Sequence, residues 1–373
     1  MIRRCNPRMR VVCGMSGGVD SSLTAALLAE QGHEVVGVTM KLWPCADQDG
    51  GFTREDACCS PTETIDARAV AQRVGVRHYV VDLEQRFRQT VVDGFVDAYA
   101  RGETPNPCVR CNESIKFGEL WDHARALGAD YVATGHYARV ADAFDRKVLR
   151  VSADRAKDQT YFLFSLTQEQ LAHALFPVGD LTKTEVRDAA RARQLITADK
   201  HESQDICFIG AGGVGGFLRA EAPESFSAGP IVHEDGTPLG RHAGLAGITI
   251  GQRKGLGVAW HEPLHVVRID AAANTVVLGP RSSLLVDELP LRDCTWHLGD
   301  LPAGGLVCHV RTRYRAKPVA ATIVARGGVG REGKPNAVVR FAEPQPRAAA
   351  GQACVAYDER DDLCLGGGWI DQG

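Results

Sequence analysis

The sequence predicts an α/β fold in its first half and a β-rich fold in its second half. Over about the first 200 residues, apolar runs of strand length alternate with helical patterns, as in a parallel sheet joined by helices. After about residue 210, glycine becomes frequent and short apolar runs replace this alternation, which favours a small connecting domain and a β-barrel or β-sandwich. The 373 residues exceed one ordinary domain. We therefore expect a parallel-sheet domain (1–210), a small central domain (211–285) and a C-terminal β-barrel or sandwich (286–373).

The individual elements follow from apolar periodicity. In the first domain the predicted strands are RVVCGM, EVVGVTM, RHYVVDL and DYVATG. The predicted helices span residues 20–31, 62–74, 114–127, 163–171 and 183–194. Beyond residue 210 the predicted strands are HVVRI, TVVLG, LVCHVR and AVVRF.

Composition and charge limit the classes of function. Apolar residues make up 44% of the chain and charged residues 24%, and no apolar run of 18 residues occurs, so we expect a cytoplasmic protein without membrane contact. The basic N-terminus MIRRCNPRMR is followed by no apolar segment, which argues against a secretory signal. Because the net charge is −3, contact with nucleic acid requires a local basic patch. Residues 311–331, with six Arg or Lys and no carboxylate, are the candidate.

The stretch SGGVDS, residues 16–21, lies between the first predicted strand and the first predicted helix. Glycines there let backbone N–H groups approach a phosphate, and the helix N-terminus favours the negative charge. Ser16 and Ser21 add hydroxyl groups, and Asp20 is suited to a magnesium ion. The lysine of the Walker loop is missing. The alternative is a simple glycine-rich turn capped by Asp20. The full motif resembles the PP-loop of ATP pyrophosphatases, which adenylate a substrate and release pyrophosphate.

Cysteines form the second candidate site. TPNPCVRCN, residues 104–112, contains Cys108 and Cys111, and SQDICFIG contains Cys207. The two prolines favour an exposed, rigid loop. Cys-x-x-Cys is also the spacing of half a zinc site, but no second such pair completes it. Buried structural cysteines are a further alternative, one that suits Cys13, Cys294, Cys308 and Cys354. Sulfur chemistry requires one thiol to carry sulfur and another to resolve the product.

The order of several motifs resembles the family of tRNA-specific 2-thiouridylases over nearly the whole chain. These motifs are SGGVDS, GVTMKLW, TPNPCVRCNESIKF, TGHYAR, KDQTYFLF, SQDICFIG, GITIGQRKGLG, RTRYR and GQACVAYD. The resemblance implies a PP-loop domain, a small central domain and a C-terminal β-barrel that together bind tRNA. It implies ATP-dependent 2-thiolation of the wobble uridine in the anticodon, with ATP and Mg²⁺ as cofactors and a sulfur-donor protein as a second partner.

The resemblance also assigns roles to positions of this sequence. Cys207 corresponds to the thiol that receives sulfur as a persulfide, and Cys111 to the thiol that resolves the intermediate and forms a disulfide with Cys207. The positions implied to bind ATP are Gly14, Met15, Ser16, Gly17, Gly18, Val19, Asp20, Ser21, Met40 and Gly135. Those implied to contact the target base are Asn106, Pro107 and Cys108. Those implied to contact tRNA are His136, Lys157, Asp158, Gln159, Arg313, Tyr314 and Gln352.

Some assignments have alternatives. Many members of the family have aspartate where this chain has Cys108, so the role of that aspartate does not transfer directly. With Cys108, Cys111 and Cys207 near one site, an iron–sulfur cluster is a minority hypothesis beside the persulfide route. His136 is alternatively a core histidine, and the basic stretch a charged strand edge. Two other functions compete: an amidating PP-loop ligase, for which no glutaminase domain is apparent, and a non-catalytic RNA-binding protein, which would not need SGGVDS or the two thiols.

Overall fold

The computed structural model describes residues 8–44, 61–201, 205–223 and 227–372. Cys58 and Cys59, for which the sequence suggests no role, lie outside the described residues, as do the first two residues of the SQDICFIG motif. Among the described residues, no helix is long and apolar enough to cross a membrane.

The described helices are α1 (Val19–Glu30), α2 (Pro61–Val74), α3 (Glu84–Phe87), α4 (Asp93–Ala100), α5 (Pro107–Arg110), α6 (Leu120–Ala126), α7 (Gln168–Ala172), α8 (Lys183–Ala192) and α9 (Gly213–Glu221). Wider π-helical turns occupy Arg88–Val92 and Cys111–Glu119, and tighter 3₁₀ turns occupy Thr160–Phe162 and Arg281–Leu284. The described strands are β1 (Arg10–Gly14), β2 (Glu34–Lys41), β3 (Arg77–Asp82), β4 (Tyr131–Ala133), β5 (Ala138–Ala143), β6 (Arg146–Val151), β7 (Ala174–Leu175), β8 (Gly229–His233), β9 (Pro238–His242), β10 (His265–Asp270), β11 (Thr275–Gly279), β12 (Leu285–Trp296), β13 (Leu306–Arg311), β14 (Val319–Val329), β15 (Pro335–Pro346), β16 (Ala353–Tyr357) and β17 (Leu363–Ile370).

The first compact unit contains Met1–Thr90 and Cys108–Ala211. Its parallel sheet has the strand order β3-β2-β1-β4-β7. Val11, Val12 and Cys13 of β1 are fully buried, as expected for a central strand covered on both faces. The strand order reverses direction between β1 and β4, and α/β sheets bind ligands beyond the carboxyl ends of their strands at such a point. The SGGVDS loop follows β1 directly, so the predicted fold class is confirmed and the loop lies at the favoured edge.

One predicted helix of this unit is wrong in extent. Instead of a helix over 163–171, a 3₁₀ turn ends at Phe162 and α7 begins only at Gln168. The reason is a capping box. The Thr167 hydroxyl accepts from the Gln170 backbone N–H, while the Gln170 side chain accepts from the Thr167 N–H. This arrangement fixes the start of the helix. The β5–β6 hairpin of this unit has no counterpart among the predicted elements.

The second compact unit contains Val91–Pro107 and Gly212–Gly373. One sheet has the order β10-β11-β8-β9. The other is a closed barrel of antiparallel strands in the order β12-β15-β14-β13-β16-β17, in which β17 pairs back with β12. Leu291 of β12 pairs with Ala337 on one side and Ile370 on the other, which closes the barrel. The predicted C-terminal barrel is confirmed.

Candidate active site

The loop after β1 is shaped by a close approach to α2. Gly17 has φ +74°, a conformation that favours glycine, and a Cβ at this position would lie 2.3 Å from the Glu63 carbonyl oxygen. The Ser21 hydroxyl accepts from the Ser16 N–H at 3.2 Å and donates to the Gly18 carbonyl at 3.1 Å. The turn therefore has a fixed conformation at the N-terminus of α1. This arrangement is suited to an anion.

A lysine distant in sequence reaches the same helix terminus. Lys183 begins α8, and its Nζ lies 2.8 Å from each carboxylate oxygen of Asp20. The Tyr137 hydroxyl donates to Asp20 Oδ1 at 2.8 Å. The Lys183 side chain is only 12% exposed, so its charge acts in a partly desolvated environment where electrostatic interactions are stronger. The loop lacks a Walker lysine, but the fold brings a lysine to it from another helix.

A second lysine contacts the loop from the segment before Cys207. Lys200 Nζ donates to the Gly17 carbonyl at 3.2 Å and pairs with Glu63 at 2.9 Å and Asp66 at 2.5 Å. Burial lowers the pKa of Lys200, but the hydrogen bonds and charges of Asp66 and Glu63 outweigh it and raise the pKa above its usual value. The ammonium group therefore stays charged beside the loop. Neither lysine was identified by sequence analysis, because neither belongs to a local motif.

The other positions implied to bind ATP lie at the same edge of the sheet. Met40 is half-buried near the carboxyl end of β2. Gly135 follows β4, and a Cβ there would lie 2.6 Å from the Ser21 backbone nitrogen. The side chains of Met15 and Val19 are buried in the core. Only their backbone can face a nucleotide.

The thiol-bearing segments differ in exposure. Cys108 lies in α5 and is exposed, whereas Cys111, which begins the following π-helical segment, is buried. Asn112 anchors this segment, because its amide donates to the Phe162 carbonyl at 2.9 Å. Irregular helical turns of this kind are frequent at functional sites.

Cys207 is half-buried, and the aromatic residue after it fixes its segment. The ring of Phe208 lies 5.8 Å from those of both Trp43 and Phe87. Among the residues that the structure describes, no three His, Cys, Asp or Glu side chains lie together as a metal-binding group.

Four other cysteines are structural, as the sequence suggested. Cys13, Cys294, Cys308 and Cys354 are each at most 2% exposed. Burial raises the pKa of Cys13, Cys294 and Cys308 to about 12 and that of Cys354 well above its usual value. These thiols remain protonated and unreactive at neutral pH.

Several positions implied to contact tRNA are bonded within the protein. His136 is 9% exposed and its Nδ1 lies 2.7 Å from the Thr134 hydroxyl oxygen. Burial, and to a lesser extent the charge of Lys116, lower the pKa of His136 well below its usual value. This geometry favours the alternative of a core histidine.

The KDQ motif is similarly engaged. Buried Asp158 accepts from the Ser152 N–H at 3.0 Å and the Thr160 hydroxyl at 2.6 Å. The Gln159 side chain accepts from the Tyr137 N–H at 2.9 Å. Lys157, the residue before Asp158, is half-buried. The motif thus serves to fix the segment after β6.

The basic stretch 311–331 divides into two parts. The guanidinium of Arg311 lies 4.6 Å from the centre of the Tyr357 ring, and Arg331 pairs with buried Glu103 at 2.7 Å. Arg313 is exposed, and Tyr314 beside it is half-buried. Besides Arg331, the exposed cations of the stretch are Arg313, Arg315, Lys317 and Arg326. Arg313, Arg315 and Lys317 lie within five residues before β14 and form a local basic group suited to a polyanion.

Comparison with known families and proteins relates the chain to tRNA-modifying enzymes. Three family models match in succession: a tRNA methyl transferase HUP domain at residues 9–211, a tRNA methyl transferase PRC-barrel domain at 215–280 and an aminomethyltransferase beta-barrel domain at 286–370. A 4-thiouridine synthetase in complex with RNA and ATP aligns with 58% of this chain and 51% of its own at 16% identity. Its TM-score of 0.34 is too low to relate the two folds.

Relatives with much higher identity carry one name. The tRNA-specific 2-thiouridylase MnmA of Rhodopseudomonas palustris is 47% identical over 97% of this chain and 90% of its own length. The MnmA of Geobacter metallireducens is 47% identical over 98% of this chain and 97% of its own. Identity at this level, over nearly the full length of both chains, shows the family that the order of the motifs had indicated. The chain belongs to the family of tRNA-specific 2-thiouridylases.

Proposed function

We propose that this protein catalyses ATP-dependent 2-thiolation of the wobble uridine in tRNA anticodons. The observation that carries the proposal is the SGGVDS loop at the carboxyl edge of the parallel sheet, in a chain of this family that retains Cys111 and Cys207. An amidating ligase would need neither thiol. A non-catalytic RNA-binding protein would have no use for a preformed anion-binding loop with two charged lysines beside it.

The first step is adenylation of the uridine C2 oxygen. The loop binds the phosphates of ATP through its backbone N–H groups, with Gly14 to Ser21, Met40 and Gly135 around the nucleotide. Asp20 and the hydroxyls of Ser16 and Ser21 are oxygen donors suited to Mg²⁺, which usually keeps waters and substrate phosphates as its other ligands. That ion neutralises phosphate charge when bound. We propose that Lys183, which contacts Asp20 beside the loop, stabilises the negative charge that develops on the departing pyrophosphate.

The second step transfers sulfur. The terminal sulfur of a Cys207 persulfide attacks C2 and AMP leaves, which joins the uridine to Cys207 through a disulfide. The Cys111 thiolate then attacks the Cys207 Sγ, so that the Cys111–Cys207 disulfide forms and sulfur remains on C2. A thiol reductant regenerates the two cysteines. The target base must leave its stack to reach these groups, and Asn106, Pro107 and Cys108 are proposed to receive it.

The partners follow from this reaction. A sulfur-donor protein loads Cys207, and tRNA binds through the exposed cations Arg313, Arg315 and Lys317. Tyr314, whose ring centre lies 5.9 Å from the Arg315 guanidinium, is proposed to stack on a base. We propose that the reaction takes place in the cytoplasm, and that the domains are residues 1–210, 211–285 and 286–373.

Mass spectrometry of tRNA nucleosides tests the function. Deletion of the gene should remove 2-thiouridine derivatives from the wobble position, and the wild-type gene should restore them. With purified protein, tRNA and a sulfur source, each modified uridine should be accompanied by one AMP and one pyrophosphate. ADP as the stoichiometric product, or unchanged thiouridine in the deletion strain, would contradict the proposal.

A further inference from the structure

Glu103 is a buried carboxylate in the second unit, immediately before the TPNPC motif. Its side chain is 2% exposed, and Oε1 lies 2.7 Å from an Arg331 guanidinium nitrogen. Oε2 lies 3.3 Å from Arg101 and 3.4 Å from Arg292. Burial raises the pKa of Glu103, but hydrogen bonds from Arg101 and Arg331 outweigh it and bring the pKa below its usual value. Glu103 is therefore an ionised, multiply paired group.

These arginines connect Glu103 to two parts of the barrel. Arg292 lies on β12, and its guanidinium also pairs with Asp293 at 3.1 Å. Asp293 in turn accepts from the Glu332 N–H at 2.7 Å, in the turn between β14 and β15 that also carries Arg331. Removal of one member of a buried network leaves the other charges unpaired. The network thus holds Glu103 firmly against the barrel.

Thr104 is bonded to the same unit at three points. Its N–H donates to the Ala350 carbonyl at 2.7 Å, and its carbonyl accepts from the Gln352 amide at 2.7 Å. Its hydroxyl donates to the Thr249 hydroxyl at 3.2 Å.

The residue between Ala350 and Gln352 makes this close approach possible. Gly351 has φ +84°, and a Cβ there would lie 3.0 Å from the Glu103 Cβ and 3.2 Å from the Thr104 nitrogen. Only glycine satisfies both the backbone angle and the available space. The turn at Gly351 is therefore matched to the chain at Glu103 and Thr104.

We propose that Glu103 and Gln352 are positioning residues for the target-base loop, which we define as residues 104–107. Pro105 and Pro107 restrict the backbone of this loop, so the position of Thr104 sets that of Asn106. The barrel holds the loop in the conformation that presents Asn106 to the uridine. The inference rests on the proposed function, and it assigns to Gln352 an internal role in place of tRNA contact.

Variants of Gln352 test the proposal without disturbing the buried charges. Gln352→Ala removes one hydrogen bond, and the isosteric Gln352→Glu replaces the amide donor by an acceptor that repels the Thr104 carbonyl. With sulfur-loaded enzyme in excess over tRNA, both variants should lower the single-turnover thiolation rate by about 10- to 100-fold, since small misplacements have effects of this size. Their Kd for tRNA should stay within about twofold, and sulfur loading of Cys207 should be unchanged.

Two comparisons complete the experiment. Glu103→Gln, which keeps the hydrogen-bond acceptor, should retain more activity than Glu103→Ala. The control Glu288→Gln breaks an exposed pair with Arg340 on the same barrel, at 2.9 Å, and should match the wild type. Hydrogen exchange of the peptide 104–112 provides a readout that needs no thiolation, and it should be faster in both Gln352 variants than in Glu288→Gln.

The outcomes separate the hypotheses. Weaker tRNA binding by Gln352→Ala at an unchanged single-turnover rate would identify Gln352 as a tRNA contact and overturn the proposal. Unchanged exchange in the 104–112 peptide would also overturn it. A wild-type protein that does not thiolate tRNA would instead refute the proposed function, while the exchange measurement would still show whether Gln352 holds the loop.

Discussion

Lys183 Nζ lies 2.8 Å from both carboxylate oxygens of Asp20, although 163 positions separate the two residues in the chain. Tyr137 completes the group, with its hydroxyl 2.8 Å from Asp20 Oδ1 and its ring centre 5.6 Å from the Lys183 Nζ. A positive charge therefore stands at the N-terminus of α1, beside the loop that we propose binds triphosphate. Helix α8 thus supplies the lysine that the SGGVDS loop itself lacks.

Substitution of Lys183 should impair adenylation. We expect Lys183→Met to lower tRNA-dependent AMP formation by about 100-fold or more, because it removes a positive charge beside the loop that we propose binds the phosphates. Lys183→Arg should retain part of the activity. AMP release from labelled ATP measures the effect, and sulfur loading of Cys207 should persist in both variants.

Lys147→Met is the matched control, since Lys147 pairs at 2.6 Å with largely exposed Asp142. A normal rate of AMP formation in Lys183→Met would remove Lys183 from the mechanism. Asp20→Asn should instead raise the Mg²⁺ concentration needed for half-maximal activity, because one anionic ligand of the ion is lost.

The three candidate thiols should have different functions. Cys207→Ser should prevent sulfur loading, since a hydroxyl forms no persulfide. Cys111→Ser should allow loading but stop transfer, because the resolving thiolate is absent. Cys108→Ser should lower activity only modestly, because serine keeps a similar size and a hydrogen-bonding group. Radioactive sulfur on the protein and in tRNA measures the two stages.

The Cys108 variant also tests the cluster hypothesis. A relay of sulfur between two thiols needs only Cys111 and Cys207, so iron content should not control activity. Anaerobically purified protein with stoichiometric iron that is lost together with activity in Cys108→Ser would show that expectation to be wrong.

The exposed cations of the barrel should bind tRNA through phosphates. Arg313→Ala should weaken tRNA binding and reduce the slope of log K against log salt concentration by about one unit per lost contact. Arg360→Ala, in an exposed turn before β17, is the control. Salt titrations by filter binding or fluorescence anisotropy give the slope. An unchanged slope and affinity would assign Arg313 to a solvated strand edge.

His136 should make stability depend on pH. Its folded-state pKa lies well below the usual 6.5 because of burial and the charge of Lys116. The neutral form is therefore favoured in the fold. The stabilisation is complete above about pH 6.5 and is lost as the pH falls from there towards the folded-state pKa. If the unfolded state binds one proton more than the folded state, the free energy of unfolding changes by about 1.4 kcal/mol per pH unit.

Denaturant unfolding of His136→Gln checks this sign. The variant should be less stable at neutral pH but lose less free energy of unfolding between about pH 6.5 and 5. The pKa of His78 is also lowered, by burial and then by the charge of Arg68, so the variant should still show part of the dependence of its free energy of unfolding on pH. His261→Gln, at a histidine 75% exposed, should leave the profile unchanged. A loss of tRNA affinity in His136→Gln without a change in slope would favour the original assignment as a tRNA contact.

Local patterns in the sequence determined the parallel sheet, the barrel and the anion-binding loop. Strands such as β1 are runs of apolar residues that tertiary contacts do not override, and the SGGVDS loop depends on glycines and a helix start that lie within six residues. The order of the motifs likewise indicated the family, since each motif is contiguous. The start of α7 was misjudged because Thr167 and Gln170 form a cap whose hydrogen bonds compete with apolar periodicity.

Only the tertiary structure decided which distant partners the polar side chains of these motifs have. Lys183 contacts Asp20 because the fold brings α8 next to the N-terminus of α1. No local pattern in the sequence predicts that contact. Gln352, similarly implied to contact tRNA, has its amide 2.7 Å from the Thr104 carbonyl. The sequence around a polar residue is the same whether that residue contacts tRNA or bonds within the protein. Whether its hydrogen bonds are already satisfied depends on partners about 250 positions away, and only folding brings those partners into contact.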